Sequence, residues 1–383
     1  MPGQPAETQG QPVISMMKIN LLDPGLQGMH GHHLEWDLRV VEELRRCGHD
    51  VVVYANAGIG QDAAAAVAAL SPLVRHFRFS PYAYPEQVDR VAGELILFLD
   101  GAALVAQDLR TVRDADMWMW PSLFSSQLYA CSILGSTMPM SACVHVEPTF
   151  MASSGPVWWR FAFLRAQQAR LRMNIGVAGP MLQKEYAPLT AVGHIGCFPA
   201  AHDGAPSGRA KTALRRIGFF GHQRHDKGVG MLPVLVPRLL QDRYEVVLHD
   251  SGNLVRADAM PGLTVLGYVP SLATEIARCD LVVVPYDPIA YRARESAIVW
   301  DAISSGVPVL VPAGTASSAL VQSTGAGRTF PGGSAEHVYE AIKAAEREFD
   351  QIAAAALAAC LKWRETRGVK HFVAAMLENA GSV

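Results

Sequence analysis

Between Ile217 and Gly228 the chain reads Ile-Gly-Phe-Phe-Gly-His-Gln-Arg-His-Asp-Lys-Gly. An apolar run ends at Gly221, the cations His222, Arg224 and Lys227 follow, and Gly228 opens a segment with helical spacing. A strand that turns through glycine into a helix gathers bare backbone N–H groups and the positive end of the helix at one point. Side-chain cations at the same place deepen that field. The combination holds phosphate, and a nucleoside diphosphate is the ligand it predicts. A solvated turn of charges is the plain alternative.

Other residues could do chemistry beside it. Asp301 lies inside a predicted helix, between Trp300 and Ala302, although Asp is a poor helix former. Glu295 stands where that helix begins, either complementing the helix end or reaching a ligand. In Gly28-Met29-His30-Gly31-His32-His33 the glycines let backbone N–H groups approach a phosphate or sugar closely. The histidines there have no cysteine, and their nearest acids are on the following helix, so no metal site is expected. His145 ends an apolar run, where it is either a structural residue or a hydrogen-bonding group facing a cleft; Glu147 is a weaker candidate acid or base. The segment from Trp158 through Arg165 to Arg172 is basic and aromatic. It suits an anionic membrane surface or a buried helix with snorkelling arginines.

These groups need elements to position them, and apolar runs alternate with helical patterns almost throughout. That is the signature of βαβ units and parallel sheets, an α/β class with two doubly wound domains. Strands are expected at Ile14–Leu22, Asp50–Tyr54, Glu94–Leu99, Met117–Trp120, Ser141–His145 and Asn174–Ala178. Leu34–Cys47 has helical spacing and is stopped by Gly48. Cys197–Ala210 carries Pro199, Gly204, Pro206, Ser207 and Gly208 with almost no apolar period, so it reads as a linker. A second series follows: strands at Arg216–Phe220, Tyr244–His249, Thr264–Leu266, Leu281–Pro285 and Val307–Val311, with helices over Met231–Leu240, Leu272–Arg278 and Ala297–Ser305. Helices close the chain, at Ala335–Phe349, an alanine-rich stretch to Trp363, and His371–Asn379. The division is a polar tail (1–12), a first domain (13–200), a linker (201–210), a second domain (211–364) and a closing helix (365–383).

At 383 residues the chain is long enough for two cores, and half of its residues are hydrophobic. A net charge of −2 argues against a nucleic-acid-binding surface spread over the whole protein. Six scattered cysteines without a Cys-x-x-Cys pair suit a reducing cytosol, and neither a signal peptide nor a transmembrane run is expected. Asp114-Ala115-Asp116 precedes a predicted strand rather than ending one, so it is not taken as a metal signature.

The second half resembles the nucleotide-sugar domain of GT-B glycosyltransferases, most closely the retaining glycosyltransferase family 4. Gly221, Lys227 and Gly228 match the family pattern Gly-Arg-x-x-x-x-Lys-Gly, with His222 at the arginine position and Arg224 two residues on. The family's Glu-x7-Glu, whose second acid begins Glu-Ala-Met-Ala-x-Gly-x-Pro-Val, aligns on Gly306 and Pro308. It puts Asp301 at the second, ribose-gripping acid and Ala293 where the first acid belongs; Glu295, Ser296 and Ala297 follow. The first half matches more loosely, through the Gly28–His33 loop and His145. The resemblance implies a metal-independent, retaining, hexosyl-type transfer from a UDP- or GDP-linked sugar to a glycan, lipid-linked or small-molecule acceptor, as in polysaccharide biosynthesis. It implies no cofactor, a cytoplasmic setting with possible peripheral contact to the inner membrane face, and His145, Lys227 and Glu295 as catalytic groups. Gly28, His30, Gly31, Gly221, His222, Arg224, Lys227, Glu295, Ser296, Ala297 and Asp301 would bind the donor. A non-hydrolysing nucleotide-sugar epimerase, or a binding protein without turnover, fits the same fold.

Overall fold

The computed structural model describes residues 16–29, 33–82, 91–150, 153–190, 195–206, 208–250 and 260–378. Seven strands build the first sheet: β1 (Lys18–Asp23), β2 (Asp50–Asn56), β3 (Leu73–Phe77), β4 (Met117–Trp120), β5 (Met140–Val144), β6 (Met173–Ala178) and β7 (Gly196–Phe198). Six build the second: β8 (Arg216–Phe219), β9 (Glu245–His249), β10 (Leu263–Leu266), β11 (Leu281–Val283), β12 (Val309–Pro312) and β13 (Gly327–Phe330). Their orders are β3-β2-β1-β4-β5-β6-β7 and β10-β9-β8-β11-β12-β13. The recorded pairings are parallel, Ile19 lying opposite both Val51 and Met117, and Ile217 opposite Val246 and Leu281. Parallel strands are covered on both faces, which is why β4 is the continuous run Met-Trp-Met-Trp and is wholly buried.

Around the first sheet lie α1 (His33–Arg46), α2 (Gln61–Ala68), α3 (Val91–Leu109), α4 (Ser125–Leu134), α5 (Gly155–Gln168) and α6 (Pro180–Tyr186). Around the second lie α7 (Leu232–Gln241), α8 (Leu272–Ala277), α9 (Ala297–Ser305), α10 (Ala316–Thr324), α11 (Ala335–Arg347) and α12 (Phe349–Thr366). The last helix, α13 (Val369–Leu377), packs on α1, β5 and β7 of the first domain. Phe372 anchors it edge-on to Trp36 and Phe198, and Asn174 donates to the Ala375 carbonyl.

Two expectations are corrected. Glu94–Leu99 is not a strand but the first half of α3: Phe98, Ala102, Val105, Ala106 and Leu109 are buried at helical spacing, and a short apolar run cannot by itself distinguish the two. Cys197 and Phe198, at the start of the proposed linker, belong instead to the edge strand β7, which pairs with β6. Two further strands, β3 and β13, lie outside the expected set.

In each sheet the strand order reverses at one point, between β1 and β4 and between β8 and β11. Ligands of doubly wound sheets bind at the carboxyl ends of the strands beside that reversal. Gly28, Met29 and His33, the described residues of the first loop, follow β1 and the Gly221–Gly228 turn follows β8, so both lie at the switch points.

Candidate functional site: the cleft between the two sheets

The turn after β8 is shaped by two glycines in the left-handed region, Gly221 at φ 101° and Gly228 at φ 81°. A Cβ on Gly221 would stand 3.2 Å from Lys227 Nζ and 3.3 Å from the Tyr286 hydroxyl; one on Gly228 would collide with the Pro285 carbonyl. Lys227 therefore folds back under its own turn, its ammonium 5.2 Å from the centre of the Tyr286 ring. Burial pulls its pKa below the ordinary lysine value, with Arg224 adding to that effect and Tyr291 and Asp226 opposing it. Desolvated cations such as this bind phosphate oxygens well, because less water has to be displaced.

Arg224 stands nearer the surface, bidentate on Asp226 at 3.0 and 2.9 Å and 3.3 Å from the Tyr291 hydroxyl. His222 is exposed beside it. Helix α9 approaches the same point, since Ile298 in its first turn lies 3.7 Å from the Cβ position of Gly221. Its N-cap, Ser296, makes no side-chain cap; the Ser296 carbonyl accepts from the Val299 and Trp300 N–H groups, and those of Ala297 and Ile298 are left uncapped at the start of the helix.

The structure does not bring all of the expected residues to this point. Asp301, one turn farther into α9, is 1% exposed. Its Oδ1 accepts from His202 Nδ1 at 2.8 Å and lies 3.8 Å from Arg39 Nη1 of α1. The carboxylate expected on a ribose is thus occupied at the domain junction. Glu295 faces Gly179 after β6 and accepts from Trp300 Nε1 at 2.6 Å; burial raises its pKa, the Trp300 bond opposing this. It lines a cavity of about 340 Å³ with Cys197, Phe198, Thr366 and Arg367, on the hinge side of the cleft.

On the first domain, His145 follows β5. Its Nε2 donates to the Pro121 carbonyl at 2.5 Å, and its ring meets Trp36 edge-on at 4.5 Å. Loss of water pushes its pKa down to about 4, the Pro121 bond acting the other way, so the ring is neutral at neutral pH. Gly28 is open, with nothing within 4 Å of its Cβ position. His30 and Gly31 lie outside the described residues. His33 ties the far end of that loop, bonding Asp23 Oδ2 at 2.6 Å and the Tyr82 hydroxyl at 2.7 Å. Buried Asp37 lies beside Asp23, and desolvation raises its pKa well above the ordinary value.

Glu147, the weaker candidate acid or base of the sequence, and Arg294, which the sequence did not single out, face one another across the cleft. Arg294 lies over the Tyr291 ring at 4.3 Å and the Phe150 ring at 5.2 Å, with Nε 3.8 Å from Glu147 Oε2. Glu147 Oε1 is buried without a hydrogen-bond partner, as is the Trp158 indole N–H, and both side chains line one small cleft with Pro81, Phe124 and Trp159. Arg294 directly precedes Glu295 in the chain, and that adjacency is the sequence signal for it.

Residues 215–347 match the family model described as glycosyl transferases group 1. No curated protein matches the sequence. Among solved structures, HepE of Anabaena in complex with UDP-glucose is 16% identical with a TM-score of 0.68, covering 96% of this chain and 100% of that one. Sucrose-phosphate synthase from Thermosynechococcus elongatus is 12% identical at 0.68, covering 94% and 97%. The glycosyltransferase SnogD from Streptomyces nogalater is 18% identical at 0.58, covering 96% and 100%. The two parallel sheets with their covering helices have the fold of the GT-B glycosyltransferase structures that the chain resembles, and residues 215–347 match the glycosyl transferases group 1 model.

Proposed function

We propose that the protein transfers a sugar from a nucleoside diphosphate donor to a hydroxyl acceptor, with retention and without a metal. The observation that carries this reading is the convergence of Lys227, Arg224 and the uncapped start of α9 on one glycine turn. Charge grows on the diphosphate as it leaves, and fixed cations and helix N–H groups stabilise it most where water is excluded. HepE is described in complex with UDP-glucose, so a UDP-sugar is the first donor to test, and a GDP-sugar the second.

The acceptor would enter from the first domain. Glu147 has an unpartnered carboxylate oxygen and Trp158 an unpartnered N–H on the same cleft, so one hydroxyl group could donate to the first and accept from the second. Glu147 then orients the hydroxyl, and the departing phosphate takes its proton, so no enzymatic nucleophile is required. His145, neutral in this fold, suits a hydrogen-bonding part rather than that of a fixed cation. Calorimetry with UDP and GDP, followed by donor turnover over an acceptor panel, tests the proposal. Binding of one diphosphate and release of it only with an acceptor supports transfer. Failure to bind either overturns it; binding without any sugar release would favour the non-catalytic alternative.

A further inference from the structure

Helices α3, α4 and α5 lie side by side and are joined by a stack of rings. Phe98 of α3 stacks on Tyr129 of α4 at 5.2 Å and on Trp158 of α5 at 5.5 Å, and Phe161 of α5 meets Tyr129 at 5.1 Å. The outer side of this layer is apolar and open: Ile96 and Val157 are each 58% exposed, and Ile133, Phe161 and Leu164 are exposed beside them.

Helix α5 explains the pattern. Trp159, Ala162, Phe163 and Ala166 are buried on one side. At about 100° per residue, Val157, Phe161 and Leu164 fall within roughly 60° of one another on the opposite side. Arg160 and Arg165 stand on the two flanks of that stripe, both exposed. A helix of a soluble domain normally turns charge outward at that apex; this one turns out a Val-Phe-Leu ridge between two arginines. From Pro148 to Gln183 the chain has arginines at 160, 165, 170 and 172 and no Asp or Glu, and α4 carries no charge at all. On α3, Glu94 lies two residues before Ile96 but is buried and bonded to Ser153 and Ser154, and Asp100 is exposed beside Leu99.

The geometry points to this face as a docking surface for an anionic lipid membrane. An apolar ridge can enter the boundary between headgroups and acyl chains while the flanking guanidinium groups extend to lipid phosphates. Charge selects the occupant: a soluble apolar partner would not call for arginines on both flanks and no acid along the segment. Among the described residues no helix is long and apolar enough to cross a membrane, so the contact is peripheral. Trp158 belongs both to the ring stack and to the cleft over Glu147, so the docked face places that cleft at the lipid surface. On the transfer reading above, the acceptor is then an amphiphile whose hydroxylated head enters the cleft; the docking itself does not depend on that reading.

Vesicle flotation tests it. The whole protein should float with vesicles of phosphatidylcholine and phosphatidylglycerol and not with phosphatidylcholine alone. Phe161→Ser with Leu164→Ser, and separately Arg160→Glu with Arg165→Glu, should each weaken binding by about tenfold or more. Thermal unfolding and nucleoside diphosphate affinity of the variants show that the fold and donor site are intact. Absence of wild-type binding, or variants that bind as well as wild type, overturns the proposal. So does a wild-type oligomer in light scattering that these substitutions dissociate, which would make the face a contact between copies. Failed nucleotide binding with intact flotation would count against the donor site alone.

Discussion

Asp301 Oδ1 lies 2.8 Å from His202 Nδ1, and this bond fastens a helix of the second domain to the segment that joins the two domains. Both side chains are almost wholly buried, with Arg39 of the first domain 3.8 Å from the same oxygen.

Asp301→Ala should therefore act mainly on stability. It leaves His202 and Arg39 without their shared carboxylate in a buried place, a loss on the order of 3 kcal/mol. Urea unfolding measures it. The affinity ratio between a ribonucleotide and its 2′-deoxy analogue should stay unchanged. A ratio that collapses in the variant would show that the carboxylate reaches the ribose after all.

Lys227→Ala should weaken nucleoside diphosphate binding by roughly tenfold to a hundredfold, the value of one charge-assisted contact. Calorimetry reads this directly. Affinity equal to wild type in a folded variant would remove Lys227 from the donor site.

Glu147→Gln should lower transfer to an acceptor by about 10- to 100-fold while donor affinity changes little, because the substitution removes the acceptor-orienting charge and not the phosphate site. A kcat against KM comparison with the donor held saturating separates the two. Equal losses in donor binding and in transfer would place Glu147 elsewhere in the scheme.

The histidine ring at 145 sets a pH dependence. Its folded pKa of about 4 lies below the ordinary 6.5, so the unfolded chain binds the extra proton first. Stability then rises with pH across that window and falls on acidification, by at most about 3 kcal/mol from this group. His145→Gln should flatten the slope between pH 6.5 and 4 in denaturant titrations. An unaltered slope would show that the ring is already charged in the folded protein.

Much of the architecture is written locally. Helix α9 runs over Ala297–Ser305, as its spacing and the stop at Gly306 indicate, and most of the strands fall where apolar runs end in breakers. Those signals act over a few residues, which is why they can be read one segment at a time. The same locality places Gly221 and Lys227 at the end of a strand, because a glycine turn and its cations are neighbours in the chain.

The sequence by itself thus determined two doubly wound sheets and the glycine turn with its lysine. Tertiary structure alone decided which way each polar side chain points. Asp301 and His202 are 99 positions apart, and Glu147 meets Arg294 only because two sheets face each other. Whether the arginines of α5 snorkel from a buried helix or flank an open ridge depended on which side of α5 packs against α4 and Tyr186. No local pattern carries that information, because burial is settled by the packing of distant elements, whereas helix and strand are settled by neighbours in sequence.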